Sequence, residues 1–136
     1  MPIDHSIPLR EAVVSALRAA PAVSAIVSAR VYGEKPPSTP TWPFVRYGLP
    51  IVSQYEATEL DGGEHNVTIH AFTKGGSSNA VGALSAAIAS ALTDEALDLG
   101  AIELIDCQWL GSQIIRDTAE AEAWHGIIRF RVITAG

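Results

Sequence analysis

The fold of this chain is decided by residues 64–92, which read EHNVTIHAFTKGGSSNAVGALSAAIASAL. Apolar and polar side chains alternate over residues 64–73, where the apolar set is Val67, Ile69 and Ala71 and the exception on the polar side is Phe72. A period of two is typical of a strand with one buried face. The first part of the stretch therefore predicts a half-buried β-strand.

The second part of the same stretch changes to a helical period. A flexible hinge over residues 74–77 leads to a helix capped by Ser77 or Ser78. Its large apolar residues recur at helical spacing, and they are Val81, Leu84, Ile88 and Leu92. The residues between them are mostly alanine, which lets the helix lie close to a sheet or to another helix.

Two helices are predicted before this point. Ser6 is a plausible N-cap, Pro8 lies in the first turn where its missing N–H costs nothing, and one apolar stripe follows, made of Leu9, Val13, Leu17 and Ala20. Pro21 ends this helix and opens a short second one that runs to about residue 28.

Three further strands complete the expected sheet. Residues 44–52 form the first strand, with Pro50 at an edge or a bulge, and residues 53–63 are expected to be a strand end and a solvated loop. Residues 102–110, prolonged by 113–116, form a strand covered on both sides. In the last strand Trp124 and Phe130 lie on one face and His125 on the other. The sum is an α+β fold: a mostly antiparallel sheet of four or five strands with two main helices packed on one face.

Two segments of the single domain expected for residues 1–136 are predicted to contact other molecules. Residues 34–43 contain four prolines, which fix φ and lack an N–H, so they form a stiff, extended arm that contributes little to the core. Residues 117–123, DTAEAEA, form an acidic hairpin loop. We expect both segments to project from the domain.

Composition excludes several classes of protein. Nine basic residues stand against fifteen acidic ones, a formal charge of −6, and the basic residues are scattered. Tight nucleic-acid binding needs a clustered cationic face, so it is not expected. The sequence has no run of apolar residues long enough for a membrane span, no secretory start and a single cysteine, Cys107. We expect a soluble protein that is made in the cytoplasm.

No catalytic residues, cofactor site or metal site are predicted. The sequence contains none of the common hydrolase, zinc or phosphate-loop motifs. His65 and His70 are five residues apart on one strand and therefore lie on opposite faces, which disfavours a shared metal. The carboxylates fall in loops where water solvates them alike. Cys107 lies in a strand and is interpreted as a small core residue.

Arg129 and Arg131 lie at alternate positions on one face of the last strand. They are either a clamp for the carboxylates of a second copy or part of a solvated outer face. The residues predicted to contact a neighbouring copy or a partner protein are Lys35, Pro36, Pro37, Trp42, Glu59, Asp61, Asp117, Glu120, Arg129 and Arg131.

The order of these elements resembles the tail-completion family of long-tailed bacteriophages, prophages and gene transfer agents. The resemblance lies in PAVSAIVSARVYGEKPP (residues 21–37), TWPFVRYG (41–48), HNVTIHAFTKGG (65–76) and IIRDTAEAEAWHGIIRFRVI (114–133). It implies a structural virion protein that forms a ring, usually a hexamer, on the end of the tail tube, stops tube growth and joins the tail to the DNA-filled head. The implied partners are further copies, the major tail tube protein and the head-completion protein, with DNA passing through the lumen unbound.

Two alternatives stay open at the level of the sequence. The first is the adjacent head-completion or stopper protein of the same particle. The second is a small enzyme or ligand-binding domain that uses His65, His70 or His125 in a cleft.

Overall fold

The computed structural model of the 136-residue chain describes residues 3–57, 60–93, 95–117 and 120–135. It contains, in chain order, the helices and strands α1 (Ser6–Ala19), α2 (Pro21–Val27), β1 (Val31–Tyr32), β2 (Phe44–Tyr47), β3 (Ile51–Ala57), β4 (Leu60–Lys74), α3 (Asn79–Ala91), β5 (Glu103–Asp117) and β6 (Ala123–Ala135). The α+β class is confirmed.

The sheet is larger and less regular than expected. Six strands take part. Five follow the order β1-β2-β4-β6-β5, and the sixth, β3, pairs with the same edge of β4 as β2 does, further along that strand. β1 and β2 are parallel, and the other pairs are antiparallel. The prediction of four or five strands was therefore too low, because the two-residue β1 is too short to give a pattern and because the predicted first strand is two strands.

A break at residues 48–50 divides that predicted strand. β2 pairs with residues 69–72 of β4, whereas β3 pairs with residues 60–66. Between them the Gly48 N–H donates to the Thr68 carbonyl at 2.7 Å, and a Cβ at Gly48 would stand 2.6 Å from the same oxygen. Only glycine fits this close approach, so the break lies where the sequence has Gly48.

The solvated loop expected over residues 53–63 is mostly strand. β3 and β4 form a hairpin with seven registered pairs, from Ile51 with Asn66 to Ala57 with Leu60. Gly62 and Gly63, a pair typical of turns, lie inside β4, where neighbouring backbone comes close. A Cβ at Gly62 would stand 2.5 Å from the Thr134 carbonyl oxygen.

The three helices follow their predicted patterns. α1 begins at Ser6, and its N-cap is His5 rather than Ser6. Leu9, Val13 and Leu17 are buried, as expected from their spacing. α2 begins at Pro21 as predicted, and α3 has Ser78 as its N-cap. Within the described part of the chain, no helix has the length and apolar character needed to cross a membrane.

The sheet has two faces of different character. The helix face carries alternate residues of β4 and β6, which pack with the apolar residues of α1, α2 and α3 in one core; they are Val67, Ile69, Ala71, Ile128, Phe130 and Val132. The other face, here called the open face, carries the intervening residues, among them His70, His125 and Arg129. The alternation predicted for both strands is confirmed.

β5 lies at the edge of the sheet and pairs with β6. Most of its residues are exposed or half-buried, so the prediction of a strand covered on both sides was wrong. Its ladder contains two irregularities, between Leu104 and Asp106 and between Trp109 and Gly111. An apolar sequence indicated burial here, but the edge position leaves these side chains uncovered.

Candidate interaction surfaces

The beginning of the proline arm lies beside α1. Glu34 forms an ion pair with Arg10 of α1, with 2.9 Å between Oε1 and Nη1. Lys35 and Pro36 then line a groove of about 480 Å³ together with Arg10 and Arg46. Pro37 is exposed. Two of the arm residues predicted to contact a neighbour therefore border an open groove with more basic than acidic side chains.

The end of the arm packs on the open face. The Trp42 ring lies 5.1 Å from the Phe44 ring and 6.1 Å from the Phe72 ring, measured between centroids, and both contacts are edge-on. The Lys74 Nζ atom lies 4.8 Å from the centroid of the Trp42 ring. Edge-on aromatic pairs contribute about 0.5–1.5 kcal/mol each beyond their buried area. Trp42 therefore fixes the end of the arm to β2 and β4.

Lys74 also connects the arm to the hairpin loop. Its Nζ atom lies 3.7 Å from Glu120 Oε2. The Gly75 N–H donates to the Glu122 carbonyl at 2.8 Å, and the Trp124 indole N–H donates to the Gly75 carbonyl at 3.1 Å. The structure thus brings together two of the predicted contact residues, Trp42 and Glu120, which are far apart in the sequence.

The other predicted acidic residues are divided between the two ends of the sheet. Asp117 is half-buried at the end of β5, in register with Ala123, near the loop that carries Glu120. Asp61 is exposed at the opposite end of β4, and Glu59 lies outside the described residues. The acidic positions therefore do not form one continuous surface.

Arg131 and Arg129 have different environments. Arg131 donates to Gln108 Oε1 at 3.1 Å and lies 3.8 Å from a Glu64 oxygen and 3.9 Å from an Asp106 oxygen. Its guanidinium is thus engaged with carboxylates of its own chain. Arg129 is exposed on the open face. Of the two, Arg129 is the better placed to meet a carboxylate of another molecule.

His70 and His125 form a pair on the open face. Nδ1 of His70 lies 2.7 Å from Nε2 of His125, so one nitrogen carries a proton and the other accepts it. The Phe72 ring stacks on His125 at 4.5 Å between centroids. Burial, with Arg46 acting in the same direction, lowers the pKa of His70 to about 4. Burial and Arg46 also lower the pKa of His125, while Asp117 acts in the opposite direction.

His65 lies on the other face and has a structural environment. It is fully buried, its Nε2 accepts the His5 N–H at 3.1 Å, and its Nδ1 lies 3.3 Å from the Val132 carbonyl oxygen. Burial lowers its pKa. The prediction that His65 and His70 lie on opposite faces is confirmed, so these two side chains form no common site.

Comparison with known proteins agrees with this architecture. The family model described as Tail completion protein gp17 matches residues 11–135. The chain belongs to this tail completion family. A chain of a solved structure titled as the virion of a native gene transfer agent particle is 26% identical to this one, with a TM-score of 0.82 over 94% of this chain and 95% of that chain. No curated protein matches the chain.

This tail completion protein also exposes apolar residues that the sequence analysis missed. Among the described residues, the exposed large hydrophobic side chains are Ile7, Leu49, Ile51, Trp109, Leu110, Ile114 and Ile115. All but Ile7 lie on β5 or at the start of β3 and the link before it. The signal that could have found them is the absence of charge in residues 47–55 and 107–115.

Proposed function

We propose that this protein forms a ring, as a hexamer, at the head–tail junction of a phage or phage-like particle. The ring caps the tail tube, ends its growth and joins the tail to the DNA-filled head. The observation that carries the proposal is the match of the tail completion family to residues 11–135. The similar chain from a gene transfer agent virion supports a place in the particle and a structural rather than an enzymatic role.

The geometry of the subunit suits a joint between two partners. β4 is 15 residues long, which is about 50 Å at about 3.4 Å per residue. Trp42 at the arm end and Glu120 meet at one end of it through Lys74, and the other end pairs with β3. We propose that one end meets the tail tube and the other meets the head-completion protein.

The charge of the protein suits a channel through which DNA passes. The formal charge is −6, and like charge prevents the release of phosphate counterions that tight binding requires. DNA therefore passes through the lumen without binding tightly to the protein.

The test uses the purified protein and tail tubes with open ends. Native mass spectrometry and electron microscopy are expected to show a six-copy ring on tube ends, and tubes capped in advance are the control. A chain that stays monomeric and leaves tube ends bare contradicts the proposal. Binding to heads without binding to tubes indicates the head-completion position instead.

A further inference from the structure

The exposed apolar side chains of the described residues are concentrated on two separate surfaces. The first, here called the projection, consists of Leu49 and Ile51, which are 88% and 73% exposed. The second consists of exposed residues of β5, among them Trp109 and Ile114. Monomeric proteins rarely expose contiguous apolar patches larger than a few hundred Å², and larger patches mark interaction sites. Each surface is therefore a candidate contact.

A groove accompanies the β5 surface. It lies between α3 and β5, has a volume of about 470 Å³, and has Trp109 and Ile114 on one side. The α3 side is formed by small residues, including Gly82, Ala86 and Ala89. The small side chains leave room beside the helix for apolar side chains from outside, and the volume falls within the range of about 300–1,000 Å³ typical of pockets that hold a ligand.

The irregular ladder of β5 determines the kind of contact. The register shift between Trp109 and Gly111 interrupts the pairing of β5 with β6. A bulge of this kind bends an edge strand and hinders the addition of another strand. The contact that fits β5 is therefore insertion of side chains into the groove, not extension of the sheet.

The charges around the two surfaces are opposite. Leu49 borders the groove that also contains Arg10, Lys35 and Arg46; Glu34 lines it too and pairs with Arg10, so Lys35 and Arg46 give the groove a net positive charge. Residues 75–115, which include α3 and most of β5, contain five acidic residues and no lysine, arginine or histidine. Of these acids, Glu95, Asp98 and Glu103 are exposed. A cationic rim around the projection thus complements an acidic rim around the α3–β5 groove.

The acidic residues belong to the chain segments that adjoin the end of the groove at which α3 finishes. The Cys107 thiol lies 3.7 Å from the Leu92 carbonyl oxygen, which places the first half of β5 beside the end of α3. The segment with Glu95 and Asp98 follows α3 directly, and Glu103 begins β5. At this end the apolar groove therefore runs toward the segments that carry these carboxylates.

The size of the β5 surface is suitable for the centre of a protein–protein contact. A 15-residue strand and a 13-residue helix give a strip of about 450 Å² from their lengths and widths. A stable interface buries about 800 Å² on each partner, with an apolar centre and a polar rim. The charged rims would supply the remaining area.

The two surfaces lie on opposite edges of the sheet. β5 is the last strand at one edge, whereas the projection lies beside β2 and β3 at the other. A surface that fits a different surface on the far side of the same molecule joins copies head to tail, and such contacts generate a closed ring when the rotation from copy to copy closes.

We propose that Leu49 and Ile51 of one copy insert into the α3–β5 groove of the next copy, with Lys35 and Arg46 facing the carboxylates after α3. The inference rests on the proposed ring and names the surfaces that close it. The occupant of the groove is thus a second copy of this chain.

Cysteine cross-linking tests this contact directly. In a Cys107→Ser background, Leu49→Cys protein is mixed with Ala86→Cys protein under mild oxidation. We expect a disulfide-linked dimer in the mixture and none with either variant alone, because the contact is head to tail. Ile7→Cys is the matched control, since Ile7 is also exposed but lies on neither surface; mixed with Ala86→Cys it should not cross-link.

A charge substitution gives a second readout. Leu49→Asp places a carboxylate opposite the acidic rim and should weaken association by about tenfold or more, equivalent to about 1.4 kcal/mol. The monomer should keep its melting temperature, because Leu49 is 88% exposed. Ile7→Asp should leave association unchanged.

The outcomes separate this contact from the proposed function. Rings on tube ends without cross-linking between positions 49 and 86, or rings that Leu49→Asp leaves intact, overturn the contact while the ring function stands. A dimer formed by Leu49→Cys alone also overturns it. Absence of rings from wild-type protein, even on open tubes, refutes the proposed function itself.

Discussion

The histidine pair on the open face makes stability depend on pH, and replacing His70 removes the larger part of that dependence. The folded protein holds the pKa of His70 at about 4, below the ordinary value of about 6.5 in an unfolded chain. As pH falls below about 6.5, the unfolded chain takes up the proton first. The free energy of unfolding therefore decreases with acidification and levels off near pH 4.

The size of the effect follows from the two pKa values. Between pH 7 and pH 5 a shift from about 6.5 to about 4 removes about 2 kcal/mol of stability. Solvent reaches the half-buried rings and reduces this figure, so we expect a loss of about 1–2 kcal/mol from His70. His70→Gln keeps a polar side chain but cannot titrate, so it should lose less stability than wild type over the same interval.

The assay is urea unfolding followed by circular dichroism at pH 7, 6 and 5, at protein concentrations that keep the chain monomeric. At each pH, subtracting the free energy of unfolding of His70→Gln from that of wild type removes the contribution of the carboxylates, which both proteins share. Thr68→Ala, a change on the same face of β4 without a titrating group, should retain the wild-type pH dependence. Parallel pH profiles for wild type and His70→Gln would refute the reasoning.

Two further predictions concern packing and the junction at Lys74. Gly126→Ala should destabilise the fold by about 1–3 kcal/mol, because the added Cβ would stand 2.5 Å from Ser85 Oγ. Adding Ser85→Ala to Gly126→Ala should restore much of the lost stability. Thermal melts of the two single variants and the double variant check this. Trp42→Ala should lower the free energy of unfolding by about 2–3 kcal/mol, because it removes two aromatic contacts. Glu120→Gln removes one exposed ion pair with Lys74 and should lower it by less than about 0.5 kcal/mol. Chemical unfolding measures both. Equal losses for these two variants would contradict the junction as described.

Periodic segments were predictable because burial of one face imposes a period on the sequence. The alternation in β4 and β6 and the apolar stripes of α1 and α3 gave the right elements for this reason. The β3–β4 hairpin was not predicted because adjacent glycines such as Gly62 and Gly63 are typical of turns. In the fold they are glycines because carbonyl oxygens of Thr134 and Ile3 come within 2.5 Å of where a Cβ would stand.

The candidate surfaces were less predictable than the elements. Trp42, Lys74 and Glu120 meet only after the sheet forms, and no local pattern connects positions so far apart. The exposure of β5 depends on which strand lies at the edge, a property of topology and not of the residues themselves. The carboxylates that pair with Arg131 within the chain are brought to it by the register of β4, β5 and β6, which the sequence alone does not reveal.

The uninterrupted pairing of β4 with β6 has a mechanical consequence. Thirteen consecutive positions, from Gly62 with Ala135 to Lys74 with Ala123, are in register without a shift. Two long strands joined in this way make a stiff spine, so a force applied at one end tilts the whole subunit instead of bending it. A force that passes from one end of these strands to the other would therefore change the tilt of the whole subunit.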